Sequence, residues 1–95
     1  MRCIYTESDA KGNTPYKVNA PAIQLKVYTP DSAGEYDLPY LIGIREGYVN
    51  QSGNFNFNDF TWNIISDQFM EDAKLIREAQ SIYDELKERV FKGGD

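Results

Sequence analysis

The sequence predicts a small α+β domain in which a three- to four-stranded, mostly antiparallel sheet is followed by one long C-terminal amphipathic helix packed on it. In the first two thirds, apolar and polar residues alternate with the period of half-buried strands. In the last third, apolar residues recur in steps of three and four, with no Pro or Gly between Asp67 and Phe91. A chain of 95 residues is the size of one domain. We therefore expect a single domain, 1–95, with a β-rich region at 1–65 and the helix at 66–92.

The first part of the sheet is predicted as two strands separated by a polar loop. Residues 1–6 form a short first strand, and residues 7–14 (ESDAKGNT) are typical of a loop. Residues 16–28 alternate clearly only in their second half, after Pro21. Because proline cannot donate to a strand ladder, Pro21 is expected at a strand start or at an edge. Residues 29–39 lie between prolines and predict an exposed loop.

The next part predicts a β-hairpin whose second strand is irregular. Residues 40–49 alternate as a strand, and residues 50–54 (NQSGN) favour a hairpin turn. In residues 55–65 the alternation of apolar residues changes parity at Asn58-Asp59. Phe55 and Phe57 stand at odd-numbered positions, whereas Phe60, Trp62 and Ile64 stand at even-numbered ones. A strand that keeps one apolar face must therefore contain a bulge or a break at that point.

The predicted helix carries a wide apolar stripe, and two interpretations of it stay open. Its positions are Phe69, Ala73, Ile76, Ala79, Tyr83, Leu86 and Val90. In the first interpretation the whole stripe packs on the sheet. In the second, part of it forms a short heptad-like seam against a second copy of the chain, which makes a homodimer. The seam residues would be Ile76, Ala79, Tyr83, Leu86 and Val90.

Composition argues against several classes of function. The chain has no histidine, which removes the commonest general base and the commonest transition-metal ligand, and a single cysteine, Cys3, excludes an internal disulfide. No phosphate-binding glycine motif and no calcium loop occur. We therefore expect no enzyme activity, no cofactor and no metal site. The net charge of −5 without a basic cluster disfavours direct nucleic-acid binding. No segment has signal-peptide or membrane-spanning character, so we expect a cytoplasmic protein without a membrane partner.

The aromatic and amide residues between Phe55 and Asn63 (FNFNDFTWN) are the most unusual feature of the sequence. In one interpretation the apolar members are core residues under the helix. In the other, one subset faces outward and binds a partner or ligand, since Trp and Tyr are favoured interface anchors. The candidate binding residues are Tyr36, Tyr48, Phe55, Phe57, Asn58, Asp59 and Trp62.

The chain is short, acidic, rich in aromatic residues and free of catalytic motifs. In this profile it resembles small phage-encoded proteins that bind and block a host or defence protein. The resemblance covers no residue motif, so it assigns no functional residues. It implies a non-enzymatic binding protein that inhibits or modulates a larger protein. An alternative is a small-ligand binder, for a nucleotide-like molecule, with its pocket at a subunit junction, and a third is a structural or assembly subunit.

Overall fold

The computed structural model describes residues 2–29, 40–65 and 71–92. These residues form an antiparallel sheet of five strand segments and one C-terminal helix, so the predicted α+β class is confirmed. The elements in chain order are β1 (Arg2–Ala10), β2 (Pro21–Thr29), β3 (Tyr40–Val49), β4 (Phe55–Phe57), β5 (Thr61–Ile65) and α1 (Asp72–Lys92).

The sheet is an antiparallel meander in the order β1-β2-β3-β4, with β5 also paired to β3. β1 pairs with β2, and β2 pairs with β3. β4 and β5 both pair with the far edge of β3, β4 near its C-terminal end and β5 near its N-terminal end. They are thus two halves of one returning strand, and the break between them falls at residues 58–60, where the change of parity predicts it.

The β1–β2 region differs from the sequence-based expectation. β1 continues to Ala10, four residues beyond the predicted end, because its polar residue Asp9 is used on the helix side of the sheet: Asp9 accepts a hydrogen bond of 2.7 Å from the Tyr83 hydroxyl. β2 begins at Pro21, as expected for a residue without an N–H group. Residues 16–20 form no strand, and their backbone instead bonds to Val49.

The main core lies between the helix and one face of the sheet. Alternate residues of β2 and β3 meet one line of helix residues, and all of them are buried: Ile23, Leu25, Val27, Ile42, Ile44, Leu75, Ala79 and Tyr83. Burying a large aliphatic side chain contributes about 1.5–3 kcal/mol. This cluster is therefore the principal source of stability.

The helix is shorter than predicted, and its buried line shares Ala79 and Tyr83 with the predicted stripe but contains Leu75 in place of Ile76. It begins at Asp72, and the backbone carbonyl of Glu71 accepts the first bond, 2.9 Å from the Leu75 N–H. Residues 66–70, including Phe69 of the predicted stripe, lie outside the described residues. Ala73 is exposed, whereas Leu75, absent from the predicted stripe, is fully buried. Helical period does not distinguish Leu75 from Ile76, because both are apolar.

The five residues of the predicted helix seam cannot all contact a second copy of the chain. Ala79 and Tyr83 are fully buried against the sheet of their own chain, so they cannot also contact a second copy. The remaining seam residues, Ile76, Leu86 and Val90, are half-buried. Of the two interpretations of the stripe, packing on the sheet is the one that the buried line follows.

A second, smaller core lies on the opposite face of the sheet. It contains Ala10, Ala22 and Val49, and Tyr16, Ala20, Phe55 and Phe57 pack against it. Two backbone hydrogen bonds hold the β1–β2 connection over it, from Asn19 N–H to Val49 O and from Val49 N–H to Ala20 O. One end of this face is therefore closed by the chain itself.

Candidate functional site

The rest of the sheet face opposite the helix is uncovered by the described residues and carries aromatic, aliphatic and cationic side chains. We call this region the open face and define it by Lys26, Tyr28, Arg45, Phe60, Trp62 and Ile64. Strand pairing places them together: Tyr28 is opposite Leu41, and Ile64 is opposite the same residue from the other side. Paired residues of neighbouring strands point to the same face of a sheet.

Because of a one-residue offset in register, the aromatic residues before and after the break at 58–60 point to the same side of the sheet. β4 pairs Phe57 with Gly47, and β5 pairs Thr61 with Ile44, so three residues at 58–60 stand opposite two residues of β3. The extra residue has the effect of a β-bulge, which shifts the following side chains to the other face. Phe55 and Phe57 therefore point to the same face as Trp62 and Ile64, despite their opposite parity.

Trp62 lies flat across the sheet because its neighbour on β3 is a glycine. A Cβ atom on Gly43 would lie 2.5 Å from the indole ring, so any larger residue at position 43 would force the ring to shift. The ring centroid is 5.7 Å from that of Tyr28, in an edge contact, and 4.9 Å from that of Phe60. The indole is 44% exposed. These contacts fix the ring and leave one surface of it accessible.

Arg45 is held in a fixed orientation beside these rings. Its guanidinium carbon lies 4.7 Å from the Phe57 centroid and 4.4 Å from the Phe60 centroid. Its Nε donates a 2.7 Å hydrogen bond to Gln24 Oε1, and the Gln24 amide in turn donates to Ser8 Oγ at 2.9 Å. A guanidinium stacked on aromatic rings keeps N–H groups for a carboxylate or phosphate. Lys26 Nζ lies 5.9 Å from the same Phe60 ring.

The charge of the open face is opposite in sign to that of the whole protein. The chain has a net charge of −5, yet the strand positions that share this face hold Lys26 and Arg45 and no Asp or Glu. The strand carboxylates Glu7 and Asp9 alternate to the helix side, where Asp9 meets Lys87 at 3.7 Å. Neither Lys26 nor Arg45 forms an ion pair within the described residues. Among residues 2–29, 40–65 and 71–92, therefore, no carboxylate neutralises either cation.

The candidate residues from the sequence are divided between the two faces. Trp62 is in the open face, and Phe55 and Phe57 pack on the second core at its border. Tyr48 is 43% exposed on the helix side, where its hydroxyl accepts a 2.8 Å bond from Asn56 Nδ2. Tyr36 lies outside the described residues.

Asn58 and Asp59 are exposed at the break between β4 and β5. They line a groove of about 480 Å³ between this break and the helix. Acidic and basic side chains both line it, among them Glu46, Glu85 and Arg89. The groove is therefore a weaker candidate than the open face.

From the sequence, Tyr28 was considered only as a tyrosine that could extend the aromatic surface, and Phe60 only as a member of the run. Lys26 and Arg45 were interpreted as ordinary surface charges. The sequence left two interpretations of the run at 55–63 open: apolar members in the core under the helix, or one subset facing outward. None of its residues joins the main core, and Ile65, which follows the run, packs against that core from the end of β5. The change of parity at Asn58-Asp59 was the available signal: combined with the alternation of β3, it places Arg45 beside Phe57 and Phe60.

No protein-family model matches the chain, and no curated protein or solved structure is significantly similar to it. Among the described residues, no group of three or more Cys, Asp or Glu side chains is placed to hold a metal ion. In the part of the chain that the structure describes, no helix combines the length and the apolar character needed to cross a membrane. The geometry of the open face is therefore the main guide to function.

Proposed function

We propose that the protein is a non-enzymatic binding protein that inhibits or modulates a larger protein through the open face. The observation that carries the proposal is the fixed row of Trp62, Phe60 and Tyr28, with Arg45 beside it, on the sheet face that the helix leaves uncovered. A cytoplasmic location, in the host cell if the chain is phage-encoded, belongs to the same proposal.

The residue types of the open face support a protein partner. The centres of protein interfaces are enriched in Trp, Tyr, Phe and Arg and depleted in Asp and Glu. Exposed Trp62 and Ile64 supply apolar area, 44% and 64% exposed respectively, and Arg45 supplies directed N–H donors. With only two cations on this face, a long phosphate backbone would gain little electrostatic affinity. A polypeptide is therefore the better match than a nucleic-acid strand.

The rigidity of the row favours tight binding. Ordering flexible side chains on association costs about 0.5–1.5 kcal/mol for each one. Here Gly43 and Tyr28 already hold Trp62, and Gln24 already holds Arg45. The open face therefore loses little side-chain entropy when a partner covers it.

The chain offers a matched pair of variants for testing the proposal, Trp62→Ala and Tyr48→Ala. The two side chains are almost equally exposed, at 44% and 43%, but lie on opposite faces of the sheet. We expect a partner captured by the wild-type protein to lose at least about 30-fold in affinity with Trp62→Ala, the loss of about 2 kcal/mol that defines a hot spot. With Tyr48→Ala the affinity should change less than about threefold.

The measurement is capture from host lysate followed by titration of the purified partner against each variant. Circular dichroism checks that both variants remain folded. A partner that binds both variants equally well, or that is lost only with Tyr48→Ala, contradicts an interface at the open face.

A small nucleotide-like ligand is the second candidate, and one observation favours it. Lys26 and Arg45 both lie against the Phe60 ring, so an aromatic surface for stacking a base stands beside two cations for an anionic group. A nucleotide that binds here should raise the melting temperature and quench the fluorescence of Trp62, the only tryptophan. No thermal shift across mono-, di- and triphosphates of all bases would contradict this candidate and leave the protein-binding proposal intact.

A further inference from the structure

The outer edge of β5 is open for strand pairing. Within the described residues, β5 pairs with β3 on one side and with nothing on the other. Its sequence, Thr61–Ile65 (TWNII), contains no charge and no proline. An uncharged, apolar edge strand presents unpaired N–H and C=O groups and tends to pair with another strand.

The other edge of the sheet has the usual protection against such pairing. β1 has a register irregularity between Cys3 and Tyr5, which distorts its edge. It also carries the charged residues Arg2, Glu7 and Asp9. Bulges and charges are common devices against edge-to-edge association. One edge of this sheet is thus blocked, and the other is not.

We propose that β5 pairs antiparallel with β5 of a second copy of this chain, about a two-fold axis at Asn63. Paired residues must share a face, so the possible registers place Trp62, Asn63 or Ile64 opposite itself. Only the register centred on Asn63 pairs all five residues of β5. It places Trp62 opposite Ile64 of the second copy, twice, so that apolar side chains meet across the junction. The sequence of β5 is therefore complementary to itself.

The position of the helix leaves space for this pairing. Helix α1 packs on β1 and β2, at the opposite side of the sheet from β5. On the helix side of β5, Thr61 and Asn63 are exposed. Pairing would join the two sheets into one, with both open faces on the same side and the two Trp62 rings near the axis. The pairing uses the backbone edge of β5 rather than the face proposed to bind a partner, although Trp62 and Ile64 contribute side chains to both.

The first test compares two substitutions by lysine at exposed positions, Ile64→Lys and Val18→Lys. Ile64 is 64% exposed on β5, and Val18 is 53% exposed in the β1–β2 connection. Sedimentation equilibrium should show a dimer for the wild type. Ile64→Lys should raise the dissociation constant at least about tenfold, since it places like charges at the junction. Val18→Lys should leave it unchanged. A wild type that stays monomeric, or a dimer that Ile64→Lys does not weaken, overturns the proposal.

The second test reads the register directly and uses the Cys3→Ser background, because Cys3 is an exposed free cysteine. In the proposed register Asn63 faces itself across the axis, whereas Thr61 faces Ile65. Asn63→Cys should therefore form a disulfide-linked dimer with oxidised glutathione, and Thr61→Cys should stay largely monomeric. Crosslinking of Thr61→Cys with none at Asn63→Cys would overturn the register, and crosslinking of neither would overturn the strand pairing.

Discussion

At the scale of single residues, the buried hydroxyl of Tyr83 is the most specific polar feature of the core. The side chain is fully buried, and its oxygen lies 2.7 Å from Asp9 Oδ2 and 3.1 Å from the Ile23 carbonyl oxygen. Lys87 approaches the same carboxylate at 3.7 Å. Burial, first of all, and the hydrogen bond to Asp9 raise the pKa of the Tyr83 phenol above its ordinary value. The helix is thus tied to β1 and β2 by a phenol that stays protonated in the folded state.

Replacing Tyr83 with Phe should remove the pH-dependent contribution that this phenol makes to the free energy of unfolding. Since the phenol ionises near pH 10 in the unfolded chain and only above that in the folded one, its contribution is complete below pH 10. Above pH 10 the free energy of unfolding should fall by about 1.4 kcal/mol per pH unit from this group. Tyr83→Phe should cost about 1–2 kcal/mol at pH 7, through the lost hydrogen bond, and should show a shallower decline above pH 10.

The measurement is urea unfolding at pH 7 and at several values above pH 10. Tyr48→Phe is the matched control, because that hydroxyl is exposed and bonds only to Asn56 within the described residues. Loss of the Tyr48 hydroxyl should change the free energy of unfolding by less than about 0.5 kcal/mol at each pH. Equal pH profiles for Tyr83→Phe and the wild type would contradict the assigned role of the phenol.

At the scale of elements, the sequence predicted the strands that have one polar and one apolar side, and failed where that distinction was absent. The alternation of residues 40–49 and the turn at 50–54 match β3 and the hairpin after it, where Asn50 Oδ1 accepts from the Ser52 and Asn54 N–H groups. The second half of β1 was assigned to a loop because Glu7 and Asp9 are charged. Glu7 accepts a hydrogen bond from Tyr5 of the same strand, whereas the partner of Asp9, Tyr83, is found only once the helix is docked.

The break between β4 and β5 was predictable, whereas its effect on the surface was not. Parity alone located it at Asn58-Asp59, but did not decide whether the aromatic residues after it would join the core or face away from the helix. That outcome depends on the register with β3, in which Trp62 requires the bare backbone of Gly43. For the same reason Arg45 and Lys26 appeared to be ordinary surface charges in the sequence.

The one-residue offset predicts that one single deletion in this region is tolerated and another is destabilising. Deleting Asp59 leaves two residues opposite two, so β4 and β5 merge in register and every aromatic residue keeps its face. The free energy of unfolding should change by less than about 1 kcal/mol. Deleting Asn63 instead moves Ile65 off the main core that it packs against. That change should cost about 2 kcal/mol or more, from the lost apolar burial.

Thermal or urea unfolding of both deletion variants provides the comparison, and the fluorescence of Trp62 reports whether the indole stays over Gly43. If deletion of Asp59 were as damaging as deletion of Asn63, the segment at 58–60 would have a structural role beyond the extra residue. Its one backbone bond to β3 given by the structure, from Asn58 N–H to Glu46 O at 2.9 Å, would then be the first contact to examine.

At the scale of the whole molecule, the two faces of the sheet are completed differently. One face is closed by the helix of the same chain, through Leu75, Ala79 and Tyr83. On the other, the β1–β2 connection closes one end and leaves Trp62 and Ile64 exposed. Among the described strand residues, the carboxylates lie on the helix side and the cations Lys26 and Arg45 on the other, so an acidic protein presents a cationic, aromatic surface there. This asymmetry favours a partner that brings carboxylates or another anion together with apolar groups.

The distribution of charge, rather than its total, should therefore control binding, and two glutamine variants separate these effects. Arg45→Gln and Lys74→Gln each remove one positive charge and take the net charge from −5 to −6. Arg45 is stacked in the open face, whereas Lys74 is exposed on the helix. At physiological salt, charges interact over about 8 Å, so a distant charge contributes little. We expect Arg45→Gln to weaken the complex with a captured partner at least about tenfold and Lys74→Gln less than about threefold. Titrations of both variants at low and physiological salt supply the measurement, and equal losses would show that only the total charge of the protein matters.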